Sequence, residues 1–163
     1  MSNDRLRHLE NQLEILQEQR AALEQEALMK GGLTKIQIEQ ELRITIKPKI
    51  REYEQEYWQI LAESETEATD EPEANVIVAE IVESVDRLAV QQNYPAEIMP
   101  ILLELRDDLN RPGTSAAIKV KWVLSMIPPF VGLATEGELD LEKFWQTNFP
   151  TFRKWSKELA KKL

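Results

Sequence analysis

Apolar residues recur at alternating steps of three and four along the first part of the chain. The row comprises Leu6, Leu9, Leu13, Leu16, Leu23 and Ala27, with Arg20 at one of its positions. This spacing is that of a heptad seam, and the Glu, Gln and Arg residues between its members favour helix. The pattern predicts one long helix from about Asn3 to Met29, which needs a partner for its apolar stripe.

A second helix is expected to return along the first. Gly31 and Gly32 supply a helix stop, and Thr34 is placed to cap a new helix by accepting a hydrogen bond from its first turn. Pro48 must bend this helix or start another at Lys47. The apolar face continues at helical spacing through Leu42, Ile46, Ile50, Tyr53, Tyr57 and Leu61.

The segment 34–47 also permits a different interpretation. Ile36 and Ile38, and then Ile44 and Ile46, alternate with polar residues as they would in a short β-hairpin. Strand signals this brief are ambiguous, so the pattern leaves helix and strand open while favouring helix.

Residues 63–73 contain Glu, Ser, Thr, Ala, Asp and Pro but no large apolar side chain, which is typical of a linker. Helical stripes resume after it. One begins near Val78, one at Pro95, and one after Thr114 or Ser115 that should stop at the prolines 128 and 129. Two short helices should start near Asp140 and Pro150. The predicted fold is all-α: a coiled-coil-like helical hairpin at 1–62, an acidic linker at 63–73 and a small helical bundle at 74–163.

Composition narrows the functional classes. The chain has no cysteine, which excludes disulfides and thiol chemistry and favours a cytoplasmic location. Its net charge is −9, with the excess of acids almost entirely in residues 1–73, so binding of nucleic acid is not expected.

No pattern of catalytic or metal-binding residues stands out. His8 is the only histidine, and no glycine-rich nucleophile elbow or phosphate loop accompanies it. The acids at 52, 54 and 56 and those between 136 and 142 lack the motifs of a dinuclear or calcium site. We therefore expect no enzyme activity, no cofactor and no metal.

The C-terminal segment combines aromatic and basic residues on an otherwise acidic protein. On a helix from Pro150, Phe152, Trp155 and Leu159 should face the bundle, whereas the lysines fall on another face. The periodicity leaves open whether the aromatic residues are core or interface. The predicted partner-binding residues are Trp145, Arg153, Lys154, Trp155, Lys157 and Lys161.

Two stretches resemble parts of known proteins. Residues 127–155, IPPFVGLATEGELDLEKFWQTNFPTFRKW, resemble a C-terminal helical module of cyanobacterial multidomain signalling and conflict proteins, and residues 46–61, IKPKIREYEQEYWQIL, are similar to the helical hairpin that precedes such modules. In those proteins the segments accompany caspase-like peptidases, STAND NTPases or pentapeptide repeats. No accompanying peptidase or NTPase domain is recognised in this sequence, so the resemblance implies an adaptor or regulatory part.

Two functions remain open from the sequence. The first is a protein-interaction adaptor that binds a partner by helix packing and forms a homo-oligomer through its N-terminal heptads. The alternative is a membrane-active effector that uses the apolar residues 122–133 and the basic, aromatic C-terminal helix.

Overall fold

A computed structural model describes residues 2–64, 70–91, 97–134 and 139–163, with the backbone alone for residues 2, 3 and 134. These residues are all-α and contain no strand, as predicted. The helices are α1 (Ser2–Met29), α2 (Gly32–Glu41), a π-turn (Leu42–Ile46), α3 (Lys47–Glu63), α4 (Glu71–Gln91), α5 (Met99–Leu109), α6 (Ala116–Ala134), α7 (Leu141–Asn148) and α8 (Pro150–Lys162).

The chain divides into two compact units, Met1–Tyr57 and Trp58–Leu163, and the division lies within α3. Helix α4 begins at Glu71, inside the segment that composition assigns to the linker. Residues 65–69 of that predicted linker lie outside the described residues. The domain limits 1–62, 63–73 and 74–163 therefore stay a prediction.

The first unit contains the predicted helical hairpin. The seam of α1 packs against the returning helix, and Tyr57 donates a hydrogen bond from its hydroxyl to the carboxylate of Glu10 at 2.9 Å. The apolar row of α1 therefore finds its packing partner within the same chain. Pairing of the heptads between two chains stays a prediction. The hairpin core comprises Leu16, Ala27, Ile38, Leu42, Ile46 and Ile50, with Leu13, Leu23 and Tyr53 partly buried against it.

The turn of the hairpin depends on glycine. Gly32 has a φ of +60°, in the left-handed region where a side chain is strained, and Gly31 precedes the helix as its N-cap. The prediction that Thr34 caps α2 was wrong, because α2 already begins at Gly32 and has no side-chain cap. The glycine pair lets the chain reverse early and places Thr34 inside the helix.

The segment 34–47 is helical, so the β-hairpin interpretation was wrong. The Ile38, Leu42, Ile46, Ile50 row advances in steps of four, and each such step overshoots a 3.6-residue α-turn by about 40°. A π-turn holds more residues per turn and keeps this row in line. It also lies directly before Pro48, whose ring would otherwise press on the carbonyl group four residues earlier.

Helix α4 is the centre of the second unit and packs against α5, α6 and α8. It supplies carboxylates to the starts of two neighbours. Glu71 accepts hydrogen bonds from the backbone N–H groups of Ala116 and Ala117 at 3.2 and 3.0 Å, and Glu80 accepts from the start of α8. Each carboxylate satisfies free N–H groups at a helix start and complements the helix dipole; at α6 it does so beside the hydroxyl of Ser115, which accepts a hydrogen bond from the N–H of Ile118 at 3.4 Å.

Helix α6 continues through Pro128 and Pro129, which corrects the prediction that these prolines stop it. An interior proline costs roughly 3 kcal/mol. Beyond the prolines, however, Phe130 and Val131 are buried, and burying such side chains stabilises a helix in place by about 1.5 to 3 kcal/mol each. Packing in the bundle thus offsets much of the cost of the two prolines and holds the helix together beyond them. Pro95, the predicted start of the preceding helix, lies outside the described residues, and α5 begins at Met99.

Candidate functional site

The two final helices form a corner that other parts of the second unit hold in place. Asp140 caps α7 by accepting a hydrogen bond from the N–H of Lys143 at 3.2 Å. Pro150 occupies the first turn of α8, where its missing N–H is harmless. Ser84 on α4 donates from its hydroxyl to the carbonyl oxygen of Asn148 at 2.6 Å. The predicted starts near Asp140 and Pro150 are confirmed.

The aromatic residues at this corner are core. Trp145 and Trp155, both predicted to bind a partner, have exposures of 1% and 5%. Trp145 lies edge-on to Trp58 with ring centroids 5.8 Å apart, and Trp155 contacts Phe152 at the same separation. The cluster that surrounds them comprises Trp58, Phe130, Phe144, Phe149 and Phe152. Neither tryptophan presents a surface to a partner in this arrangement.

Arg153, another predicted partner residue, takes part in an internal network. Its Nε donates to both carboxylate oxygens of Glu142 at 3.1 Å, and its guanidinium carbon lies 5.3 Å from the centroid of the Trp58 ring. The guanidinium also donates to the hydroxyl of Ser156 at 3.1 Å. These contacts tie α7 to α8, so Arg153 acts as a positioning residue for the corner.

The lysines of α8 are the part of the predicted site that reaches solvent. Lys154, Lys157 and Lys161 are exposed, whereas Phe152 and Leu159 on the same helix are buried. This separation of faces is as predicted. Lys157 has its Nζ 3.7 Å from a carboxylate oxygen of Glu142, so it belongs partly to the Arg153 network. Lys154, Lys161 and Lys162 are exposed on α8 and form no ion pair within the described ranges.

A second surface was missed by the sequence analysis. Leu33, Ile36 and Ile44 follow one another along the outer side of α2 and the π-turn, with exposures of 69%, 52% and 65%. Gln40 continues the row between Ile36 and Ile44 at steps of four, and Gln37 adjoins it. We call these five residues the outer stripe. Two more apolar side chains, Leu28 and Met29, are exposed at the hairpin turn beside it.

The signal for the outer stripe was present in the alternating isoleucines. Ile38 and Ile46 face the hairpin core, while Ile36 and Ile44 point outwards. In a strand, side chains two apart share a face, whereas two residues along an α-helix differ by about 200°. The pattern that resembled a β-hairpin therefore describes a helix with two apolar faces.

Other candidate chemistry finds little support among the described residues. His8 is exposed on α1, and no group of three or more His, Cys, Asp or Glu residues is placed to hold a metal ion within the described ranges. The acids at 136 and 138 lie outside those ranges. Glu56 forms an ion pair with Arg5, and this hydrogen bond holds the pKa of Glu56 below its ordinary value.

No protein-family model matches the sequence, and comparison with curated proteins and with solved structures gave no match either. The resemblance of residues 46–61 and 127–155 to cyanobacterial modules therefore stays an expectation.

Proposed function

We propose that this protein is a non-enzymatic adaptor that binds other protein segments, with the outer stripe of its N-terminal hairpin as the principal surface. The observation that carries the proposal is the exposure of Leu33, Ile36 and Ile44 in one helical row. Single exposed aliphatic residues are ordinary, but an aligned set with polar neighbours is typical of a docking surface.

The apolar side chains of the outer stripe are not covered by the fold, so covering them would be favourable. Burying a Leu or Ile side chain contributes about 1.5 to 3 kcal/mol. The hairpin core already uses the opposite side of the same helix, at Ile38, Leu42 and Ile46, so the outer stripe adds nothing to that core. A helix or extended segment that covers the stripe would gain this stabilisation, as in helix packing against a partner groove.

The lysine face of α8 is a second element of the proposal. Lys154, Lys157 and Lys161 lie together on the exposed side of a chain whose net charge is −9. This locally positive surface suits an acidic protein segment. The attraction would raise the association rate more than it strengthens the complex.

The test is direct binding with matched variants. The chain, fixed to beads, is exposed to native cytosol, and a retained protein is identified, produced separately and titrated against the soluble chain. Ile36→Glu with Ile44→Glu should weaken binding at least about tenfold, which corresponds to roughly 1.4 kcal/mol. Val76→Glu with Val90→Glu, at exposed apolar positions of α4, is the control and should bind like the wild type. Equal affinity of both variants would remove the outer stripe from the proposal.

Membrane activity is the rival function, and one observation favours it. Residues Ala116–Leu133 of α6 are long and apolar enough to cross a membrane by length and composition, and 44% of that window is buried. Core helices of soluble proteins meet the same description, and Val120, Val123 and Ile127 are buried. Flotation with vesicles of neutral and of acidic phospholipids separates the two functions, because an adaptor stays at the bottom of the gradient with both.

A further inference from the structure

The side chains of the outer stripe are of kinds that can pair with copies of themselves. Its centre holds Gln37 and Gln40, and a carboxamide group both donates and accepts hydrogen bonds, so it can pair with another copy of itself. Its remaining members, Leu33, Ile36 and Ile44, are aliphatic. A two-fold interface places the same patch on both subunits, and only a patch of this self-complementary kind can fill both roles.

The charge around the stripe points in the same direction. Within residues 32–46 the cations Lys35 and Arg43 balance the anions Glu39 and Glu41. Nearly all of the net charge of −9 belongs to residues 1–73, so most other surfaces of two N-terminal hairpins would repel each other. The segment that carries the outer stripe is therefore neutral, and two copies of it can meet without net repulsion.

We infer that the outer stripe docks against the outer stripe of a second copy of this chain, forming a symmetric helix-to-helix dimer. This inference rests on the proposed function and names one partner for its principal surface. From Leu33 to Ile44 the stripe is about 16 Å long at 1.5 Å per residue. Contacts of this length fall below the standard size of stable interfaces, so the dimer is reversible and depends on concentration.

The absence of cysteine from the sequence gives a clean probe of this arrangement. Gln37→Cys and Gln40→Cys, prepared separately and as a double variant, place thiols at the centre of the stripe, and Glu18→Cys places one at an exposed position of α1 as a control. Disulfides require Cα atoms within about 7 Å. In dilute solution with mild oxidant, at least one stripe variant should give covalent dimers while Glu18→Cys remains monomeric. Equal cross-linking of stripe and control variants would overturn the inference.

Sedimentation velocity over a range of protein concentrations provides the second test. The wild type and the control Val76→Glu with Val90→Glu should shift from monomer towards dimer, whereas Ile36→Glu with Ile44→Glu should sediment as a monomer throughout. A monomeric wild type at the highest soluble concentration, or a dimer that persists in the Ile36/Ile44 variant, would overturn the inference.

The two proposals fail in different ways. If the wild type is monomeric but the Ile36/Ile44 variant loses a separately produced protein partner, the adaptor function holds and self-docking is wrong. If the stripe forms the dimer and no other protein binds the chain, self-docking holds and the adaptor function is wrong.

Discussion

Glu80 and Thr151 join the centre of the second unit to the start of its last helix. The carboxylate of Glu80 accepts hydrogen bonds from the backbone N–H of Thr151 at 2.9 Å and from its hydroxyl at 2.6 Å, and a longer one from the N–H of Phe152 at 3.4 Å. A residue 71 positions earlier in the chain thereby does the work of an N-cap for α8, which the local sequence does not supply because Phe149 precedes Pro150.

Removing this remote cap should destabilise the second unit. We expect Glu80→Ala to lower the free energy of unfolding by about 1 to 2 kcal/mol, as loss of a capping side chain does. Glu83→Ala, at an exposed position of the same helix, is the control and should change stability by less than about 0.5 kcal/mol. Urea titrations followed by tryptophan fluorescence report on this unit, since all four tryptophans lie within it. Equal midpoints for both variants would contradict the assignment.

The cap on α6 should make stability depend on pH. Hydrogen bonds from the N–H groups of Ala117 and Ala116 hold the pKa of Glu71 below its ordinary value. A lowered folded-state pKa means that the stabilisation is complete above the unfolded-state pKa and disappears as the pH falls through the folded-state pKa.

Glu71→Gln should therefore be less stable than the wild type at neutral pH, and the difference should shrink as the solution is acidified through the acidic range. Glu83→Gln serves as the comparison, because among the described residues no N–H group of a helix start donates a hydrogen bond to Glu83. Melting temperatures at a series of pH values provide the measurement. A difference that stays constant down to the lowest pH at which the protein folds would show that the Glu71 charge is irrelevant.

Two leucines of α1 should contribute unequally to the stability of the hairpin core. Leu16 is buried in that core, whereas Leu13 is only partly buried against it. Leu16→Ala should cost about 2 to 5 kcal/mol, and Leu13→Ala should cost less because fewer contacts are lost. Far-UV circular dichroism during urea unfolding reports both units, and comparison with the tryptophan fluorescence of the second unit isolates the unfolding of the hairpin. An equal cost for the two variants would contradict their different burial, and a cost that changes with protein concentration would mean that the seam packs between chains.

The lysine face should matter for association and not for folding. Because Lys157 contacts Glu142, the sharper variant is Lys154→Glu with Lys161→Glu, which leaves the Arg153 network intact. If the partner is acidic, its association rate should fall at low salt and approach the wild-type rate as salt screens the charges. Stopped-flow binding with parallel melting curves measures both properties. Unchanged rates at low salt would exclude the face from the interface.

The helical hairpin was predictable because its signals are local. The steps of three and four in α1 and the glycine pair at 31 and 32 need no knowledge of the rest of the chain. The end of α6 was not predictable in this way, since it depends on whether Phe130 and Val131 find a place in the bundle. Local proline rules describe only the loss of backbone hydrogen bonds.

Prediction of the candidate site from the sequence was limited in the same way, because it used local patterns alone. Periodicity separated Trp155 from Lys154 correctly, but it could not say how many aromatic neighbours would close over Trp145. Arg153 and Lys154 are adjacent cations in the sequence, yet Arg153 meets Glu142 and Trp58 while Lys154 faces solvent. Their different roles arise from contacts with residues distant in the chain, which a pattern along one helix does not contain.

Because of the π-turn at Leu42–Ile46, the rotation of α2 about its axis relative to α3 depends on the exact number of residues in this stretch. Each residue of an α-helix rotates the next by about 100°, so deleting one residue here would turn Leu33 and Ile36 away from their outward direction relative to Ile50. The extra residue of the π-turn keeps the core-facing row of α2 in phase with that of α3. Homologous chains that lack this residue would need a different amino-acid pattern in α2 to present any apolar row to the outside.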